Sequence, residues 1–169
     1  MSTDHAPETR PTDPFAQLDW GRQAFEPERI AGLMCGRAHA AFLGMHYRAH
    51  GDDWIELALP WREDLVGVAE TGVLASGPII SLLDNATSMS VWCRFGGFRP
   101  QATLDLRVDY MRAAARGATL IGRGECYQIK RSVAFVRGIA HDGDPADPVA
   151  HVVGTFMLTG PSMTSGPAS

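Results

Sequence analysis

Four polar residues, Ser81, Asp84, Asn85 and Ser88, recur at i, i+3, i+4 and i+7 inside a stretch, residues 77–95, that is otherwise largely apolar. On a helix that spacing puts all four on one face, while Ile79, Ile80, Leu82, Leu83, Ala86, Met89, Val91 and Trp92 cover the rest. A helix with so wide an apolar surface belongs in a core. A carboxylate placed there must be hydrogen bonded, be neutralised by a raised pKa, or face a cleft that admits water and ligand. Asp84 is therefore the first candidate for general-base or nucleophilic chemistry. The start of the same helix adds a second element. Ser76 and Gly77 lead into Pro78, so the sequence predicts Gly77 as N-cap and Pro78 as the first helical residue. The unpaired amides and positive dipole end of such a terminus suit a developing oxyanion. A carboxylate that activates water and a donor for an oxyanion are what hydrolysis at an acyl carbon needs. Gly77 and Asp84 stand seven residues apart, about 10 Å along the axis, too far for one carbonyl to touch both.

The elements that must position these residues follow from periodicity. Residues 27–44 carry Ile30, Leu33, Met34, Ala38 and Ala41 at helical spacing and predict one surface helix ending near Gly44. Residues 45–50 and 54–59 flank the polar turn Gly-Asp-Asp and predict a hairpin, with Ile55, Leu57 and Leu59 alternating with Glu56 and Ala58. A loop over residues 60–76 leads into the buried helix. After it the period switches from 3.6 to 2. Residues 103–111 alternate, with Leu104, Leu106, Val108 and Tyr110 on one face and Thr103, Asp105, Arg107 and Asp109 on the other. Strands are also predicted over residues 119–130, 133–142 and 149–159. Ala134, Val136, Gly138 and Ala140 give the strand over residues 133–142 a face of small residues, which lets a helix come close. Helix, two strands, buried helix and four strands imply an α+β fold, an antiparallel sheet wrapped around the central helix 77–95. One domain spans residues 23–160, between a disordered N-terminal segment (1–22) and a flexible tail (161–169) rich in Pro, Ser and Thr.

Composition narrows the partners. A chain of 169 residues, 45% apolar and 20% charged, is long enough to bury a core. Its net charge of −4, with Lys and Arg scattered, offers no footprint for nucleic acid and no attraction to a membrane surface. No apolar run approaches the length of a membrane span, and the start of the chain has no hydrophobic leader segment, so a cytoplasmic protein is expected. Cys35, Cys93 and Cys126 are odd in number, widely spaced and set among apolar residues, the pattern of buried free thiols. His39, His46, His50, His141 and His151 show no metal-ligand spacing and read as ordinary polar histidines, so neither metal nor cofactor is expected.

The segments GPIISLLDNA (77–86), ATLDLRVDYMRAA (102–114), RSVAFVRGIAHD (131–142) and VAHVVGTFML (149–158) together resemble the hotdog-fold acyl-CoA thioesterases of the phenylacetate-pathway, PaaI-like type, within the 4-hydroxybenzoyl-CoA thioesterase superfamily. The similarity runs from about residue 42 to residue 159. The resemblance implies a hotdog fold, an acyl-CoA thioester as substrate, and a homodimer whose active sites lie at the interface, with a dimer of dimers as a further arrangement. In that family the helix opens on His-Gly-Gly, and an acid or amide about two turns in performs the chemistry. Asp84 stands at that position, and residues 75–77 read Ala-Ser-Gly in the histidine slot. An Asn or Gln normally precedes the histidine by about six residues; here Ala69 stands there. The resemblance thus assigns Asp84 as base or nucleophile, the Gly77 amide with Ser76 as oxyanion donors, and Thr103 as the residue that orients water. Oxyanion donor and carboxylate come from different protomers, which overcomes their separation. Ser81 and Asn85 would contact substrate, and Lys130, Arg131 and Ser132 the coenzyme A phosphates, with Arg112 and Arg116 as further candidates. The hotdog dehydratases need a histidine against the helix acid, and none lies between Leu57 and Ala140. The altered histidine slot leaves a second reading open, a catalytically weak hotdog module that binds an acyl or aromatic ligand.

Overall fold

Two glycines on one strand set how closely the central helix lies against the sheet. In the computed structural model, which describes residues 25–159, a Cβ added to Gly122 would sit 2.6 Å from Leu82 Cγ, and one added to Gly124 would sit 2.4 Å from the backbone carbonyl of Ala86. Only hydrogen fits at these points. The expected disordered segment 1–22 and tail 161–169 lie outside the described residues.

The chain begins with α1 (Pro27–Cys35) and α2 (Ala38–Leu43), two helices where the sequence predicts one. Gly36 ends the first: its amide closes on the Gly32 carbonyl at 3.0 Å, and a Cβ there would press to 3.1 Å of that oxygen. Gly44, at φ 75°, caps α2 in the left-handed region that glycine tolerates. β1 (His46–His50) and β2 (Trp54–Leu59) form the expected antiparallel hairpin. The predicted loop after it holds a 3-10 turn (Glu63–Leu65) and a small hairpin of β3 (Val66–Val68) and β4 (Val73–Leu74). These strands are too short to display alternation, which is why periodicity misses them.

α3 (Ser76–Phe95) follows, then β5 (Gln101–Tyr110), β6 (Leu120–Lys130), β7 (Val133–His141) and β8 (Ala150–Leu158). The main sheet is antiparallel throughout, in the order β1-β2-β6-β7-β8-β5. The chain enters at one edge, crosses beneath the sheet through α3, and resumes at the opposite edge with β5. α3 packs on β6, β2 and β7, and Leu82, Leu83, Ala86 and Val91 lose all contact with solvent. This is the hotdog arrangement, and it explains a helix apolar nearly all round. Ala134, Val136 and Ala140 of β7 are buried as expected, but the closest approach to the helix is made by the β6 glycines. Truncating a side chain as enclosed as Leu82 costs about 2–5 kcal/mol.

β5 departs from the sequence reading in a way that matters for the site. Its pairing with β8 slips between Thr103 and Asp105, so Leu104 is the extra residue of a β-bulge. The bulge reverses the alternation. Thr103 shares the inner face with Leu106 and Val108, which pack on the core, whereas Leu104 is 55% exposed. The sequence reading placed Thr103 on the opposite face from Leu106 and Val108; one inserted residue is the physical reason for the correction.

Among the described residues no helix is long and apolar enough to cross a membrane, and no cluster of His, Cys, Asp or Glu could hold a metal ion. Cys35, Cys93 and Cys126 are buried and unpaired, and burial pushes their thiols up to about 11, 12 and 11.

Candidate active site

The polar stripe of α3 runs under the edge of the sheet, and residues from two other elements, β5 and α2, hold it. Ser81, Asp84, Asn85 and Ser88 are all half-buried, at the boundary between core and solvent. Thr103, turned inward by the bulge, donates its hydroxyl to Asp84 Oδ1 at 3.0 Å. Two residues earlier on β5, Gln101 Nε2 donates to the carbonyl of Ser88 at 2.7 Å and lies 2.8 Å from its Oγ; the Gln101 Oε1 is buried without a partner. At the other end of β5, the Tyr110 hydroxyl donates to the Ser76 carbonyl at 3.2 Å. From α2, His39 Nε2 lies 3.1 Å from Ser81 Oγ. Asn85 Nδ2 turns back on its own helix, to the Ser81 carbonyl at 2.8 Å.

Burial pushes the Asp84 carboxyl above the ordinary carboxylate range, and the Thr103 hydrogen bond partly opposes that rise. A carboxylate with a raised pKa is a stronger base once ionised. Burial likewise raises the Tyr110 phenol, against the bond to Ser76. Arg112 belongs to a separate cluster: it grips Asp142 with two nitrogens at 2.6 and 2.9 Å, and the Ala115 amide adds a third bond at 2.8 Å. That guanidinium holds the Asp142 carboxyl well below the usual range.

The start of α3 differs by two residues from the sequence expectation. Ala75 is the N-cap, in extended conformation, and Ser76, Gly77 and Pro78 form the first turn. Proline fits the third position as well as the first, because no first-turn amide has an acceptor within its helix. Ala75 offers no side-chain oxygen to cap those amides. Ser76 and Gly77 are exposed, and a Cβ on Gly77 would meet nothing within 4 Å. An anionic oxygen can approach this terminus from solvent.

Asp84 and Thr103 are thus brought together, with Ser81 and Asn85 on the same face and the open amides of Ser76 and Gly77 one to two turns away along the helix. Lys130, Arg131 and Ser132 are not brought to this cluster within one chain. They occupy the β6–β7 turn, where Arg131 adopts φ 55° and the Ser132 carbonyl accepts the Leu158 amide at 2.8 Å. Register carries Thr103 across Phe156 and Ala134 to Ile129, three strand spacings or about 14 Å away. Ala69 lies exposed in the segment joining β3 and β4, away from the stripe. Sequence reasoning missed Gln101, His39 and Tyr110 as partners of the stripe. Gln101 was recoverable from its i−2 relation to Thr103; His39 lies 42 residues from Ser81 and carries no periodic signal.

A family model described as the thioesterase superfamily matches residues 71–149, a span that holds α3 and the three strands after it. Among solved structures, a protein from Pseudomonas aeruginosa is 35% identical over 79% of this chain and all of its own, with a TM-score of 0.72. A thioesterase from Haemophilus influenzae shares the fold at 17% identity, with 88% of this chain and 99% of its own covered and a TM-score of 0.69. A variant of the phenylacetic acid degradation protein PaaI from Thermus thermophilus shares it at 23% identity, 70% and 96% coverage, and a TM-score of 0.61. No curated protein matches the chain.

Proposed function

Since the chain belongs to the thioesterase superfamily, we propose that it is an acyl-CoA thioesterase in which Asp84 is the general base or nucleophile. The observation that carries this reading is the Thr103–Asp84 hydrogen bond at 3.0 Å. It fixes one carboxylate oxygen and leaves the other for chemistry, on the polar face of a helix whose remaining surface is committed to the core. As base, Asp84 takes a proton from water while the new C–O bond forms; the acyl C–S bond then breaks and the thiolate leaves, taking up a proton. As nucleophile, the carboxylate bonds to the acyl carbon while the C–S bond breaks and the thiolate leaves, taking up a proton; water then hydrolyses the resulting anhydride and restores the carboxylate. The amides of Gly77 and Ser76 receive the oxyanion, with the helix dipole behind them.

Because Gly77 and Asp84 of one helix stand about 10 Å apart, a complete site takes the amides from one protomer and the carboxylate from the other. β5 supports such a pairing: it is a ten-residue edge strand with Leu104 and Tyr110 exposed, which soluble proteins seldom leave uncovered. Lys130, Arg131 and Ser132, remote from Asp84 within the chain, would serve coenzyme A bound to a neighbouring subunit's site. Substitution of the histidine slot by Ala75 favours one alternative, a hotdog module that binds an acyl or aromatic ligand with little turnover.

The test is release of coenzyme A thiol from short, medium, long and aryl acyl-CoA substrates. Turnover of one class that disappears in Asp84→Ala supports the thioesterase; turnover that persists within a few-fold removes Asp84 from the mechanism. A folded protein that hydrolyses no member of the panel supports the binding module.

A further inference from the structure

His39 is 42 residues from Ser81 in sequence, yet its Nε2 lies 3.1 Å from the Ser81 hydroxyl. Ser81 sits on the Asp84 face, four residues after Gly77 and three before Asp84, midway between the two candidate reaction elements. Both polar atoms of Ser81 are engaged, the hydroxyl by His39 and the carbonyl by Asn85 Nδ2. The imidazole is itself supported. It stacks on Phe42 one turn later in α2, with centroids 6.5 Å apart and planes 22° apart. The Arg62 guanidinium lies 5.9 Å from the Phe42 ring centre and donates Nη1 to the Phe42 carbonyl at 2.6 Å, so α2 is tied to the segment after β2. A histidine held on one side and hydrogen bonded on the other has a fixed direction, and it restores an imidazole to a helix face whose start, at Ala75, has none.

We infer that His39 is a positioning residue that acts through Ser81: its Nε2–H donates to Ser81 Oγ, which leaves the Ser81 hydroxyl hydrogen aimed at a carbonyl oxygen of the bound acyl-CoA. This rests on the thioesterase reading for the identity of the ligand. The Ser81 contact falls on the bound molecule in ground state and transition state alike, so its loss raises KM and leaves kcat nearly unchanged. His39 acts only by orienting that hydroxyl, so removing both groups costs no more than removing Ser81.

The experiment is a double-mutant cycle of His39→Ala and Ser81→Ala, read in two ways. One is KM and kcat by thiol release; the other is calorimetric binding of a non-hydrolysable acyl-CoA thioether. Each single variant is expected to raise KM and weaken thioether binding roughly fivefold, the worth of one hydrogen bond, with kcat within about twofold. The double variant should match Ser81→Ala, and His39→Gln, which keeps a donor, should recover part of the loss. His39→Phe keeps the stacking on Phe42 and gives the same deficit if His39→Ala folds poorly. Losses that multiply to about 25-fold in the double variant overturn the coupling. A fall in Tm with KM unchanged overturns it too, since that reports α2 docking alone. Turnover that needs Asp84 but ignores His39 sinks this inference and leaves the thioesterase standing. If the protein binds the thioether without turnover, the thioesterase reading fails and the binding cycle still decides the role of His39. If it neither binds nor turns over, both fall.

Discussion

Replacing Thr103 by valine removes one hydroxyl and almost nothing else. Valine keeps the branch at Cβ that suits a strand, and position 103 is exposed, so the stability cost should not exceed that of the lost bond, about 1.5 kcal/mol or roughly 3–6 °C in Tm. The lost interaction is the 3.0 Å bond to Asp84 Oδ1. A hydrogen bond to a charged group is worth about 1.5–3 kcal/mol; the solvent around Thr103 places this one at the lower end, so kcat/KM should fall roughly tenfold. The pH dependence carries a sign. Burial raises the Asp84 carboxyl and Thr103 holds it down, so without Thr103 the carboxyl rises further. The base works only when ionised, so the acid limb of the kcat/KM profile should move to higher pH. Thr103→Ser should return both rate and limb toward wild type. Steady-state thiol release measured from acid to alkaline pH, with Tm as control, is the assay. A valine variant with an unshifted limb, or one shifted toward acid, refutes the idea that this bond tunes the Asp84 carboxylate.

Asp84→Asn should lower kcat at least about 100-fold as the base is lost. It should also raise Tm at neutral pH: a carboxyl raised in the folded state costs stability as pH climbs above the ordinary carboxylate range, and asparagine is free of that cost. The Tm difference between variant and wild type should vanish in acid; a variant that melts lower at neutral pH contradicts the burial argument. Asp142→Asn predicts the reverse, because Arg112 depresses that carboxyl: its stabilisation is present above the ordinary carboxylate range and lost as pH falls below it, so the variant should melt lower at neutral pH and converge with wild type in acid. Gly124→Ala forces a methyl to 2.4 Å of the Ala86 carbonyl and should cost about 1–3 kcal/mol in denaturant unfolding; an unchanged midpoint would mean that α3 can move away from the sheet at little cost. Leu104→Lys sets a charge on the exposed edge strand: wild type should elute at twice the mass of one chain or more, and the variant as an inactive monomer, whereas an active monomer would remove the need for a second protomer.

What could be read along the chain was whatever repeats at the period of one element. The run from Ile79 to Trp92 shows a buried helix with a polar stripe, and Asp84 stands out because charge inside that pattern is costly. The hairpin around Gly51 and the strands after Phe95 are equally local, and with them the α+β order. The matching segments then carried the family. The tertiary structure decided matters that no period encodes. The break at Gly36 and the β3–β4 hairpin are shorter than a pattern can register. The bulge at Leu104 arises from the pairing of β5 with β8, and by inverting the alternation it turns Thr103 onto Asp84. Gly122 and Gly124 matter through the helix that crosses them, and His39 through a neighbour 42 positions away. Periodicity records which face of an element is buried, because burial acts on each residue in its own turn; the partner across that face is chosen by packing among distant segments, which exists only once the chain has folded.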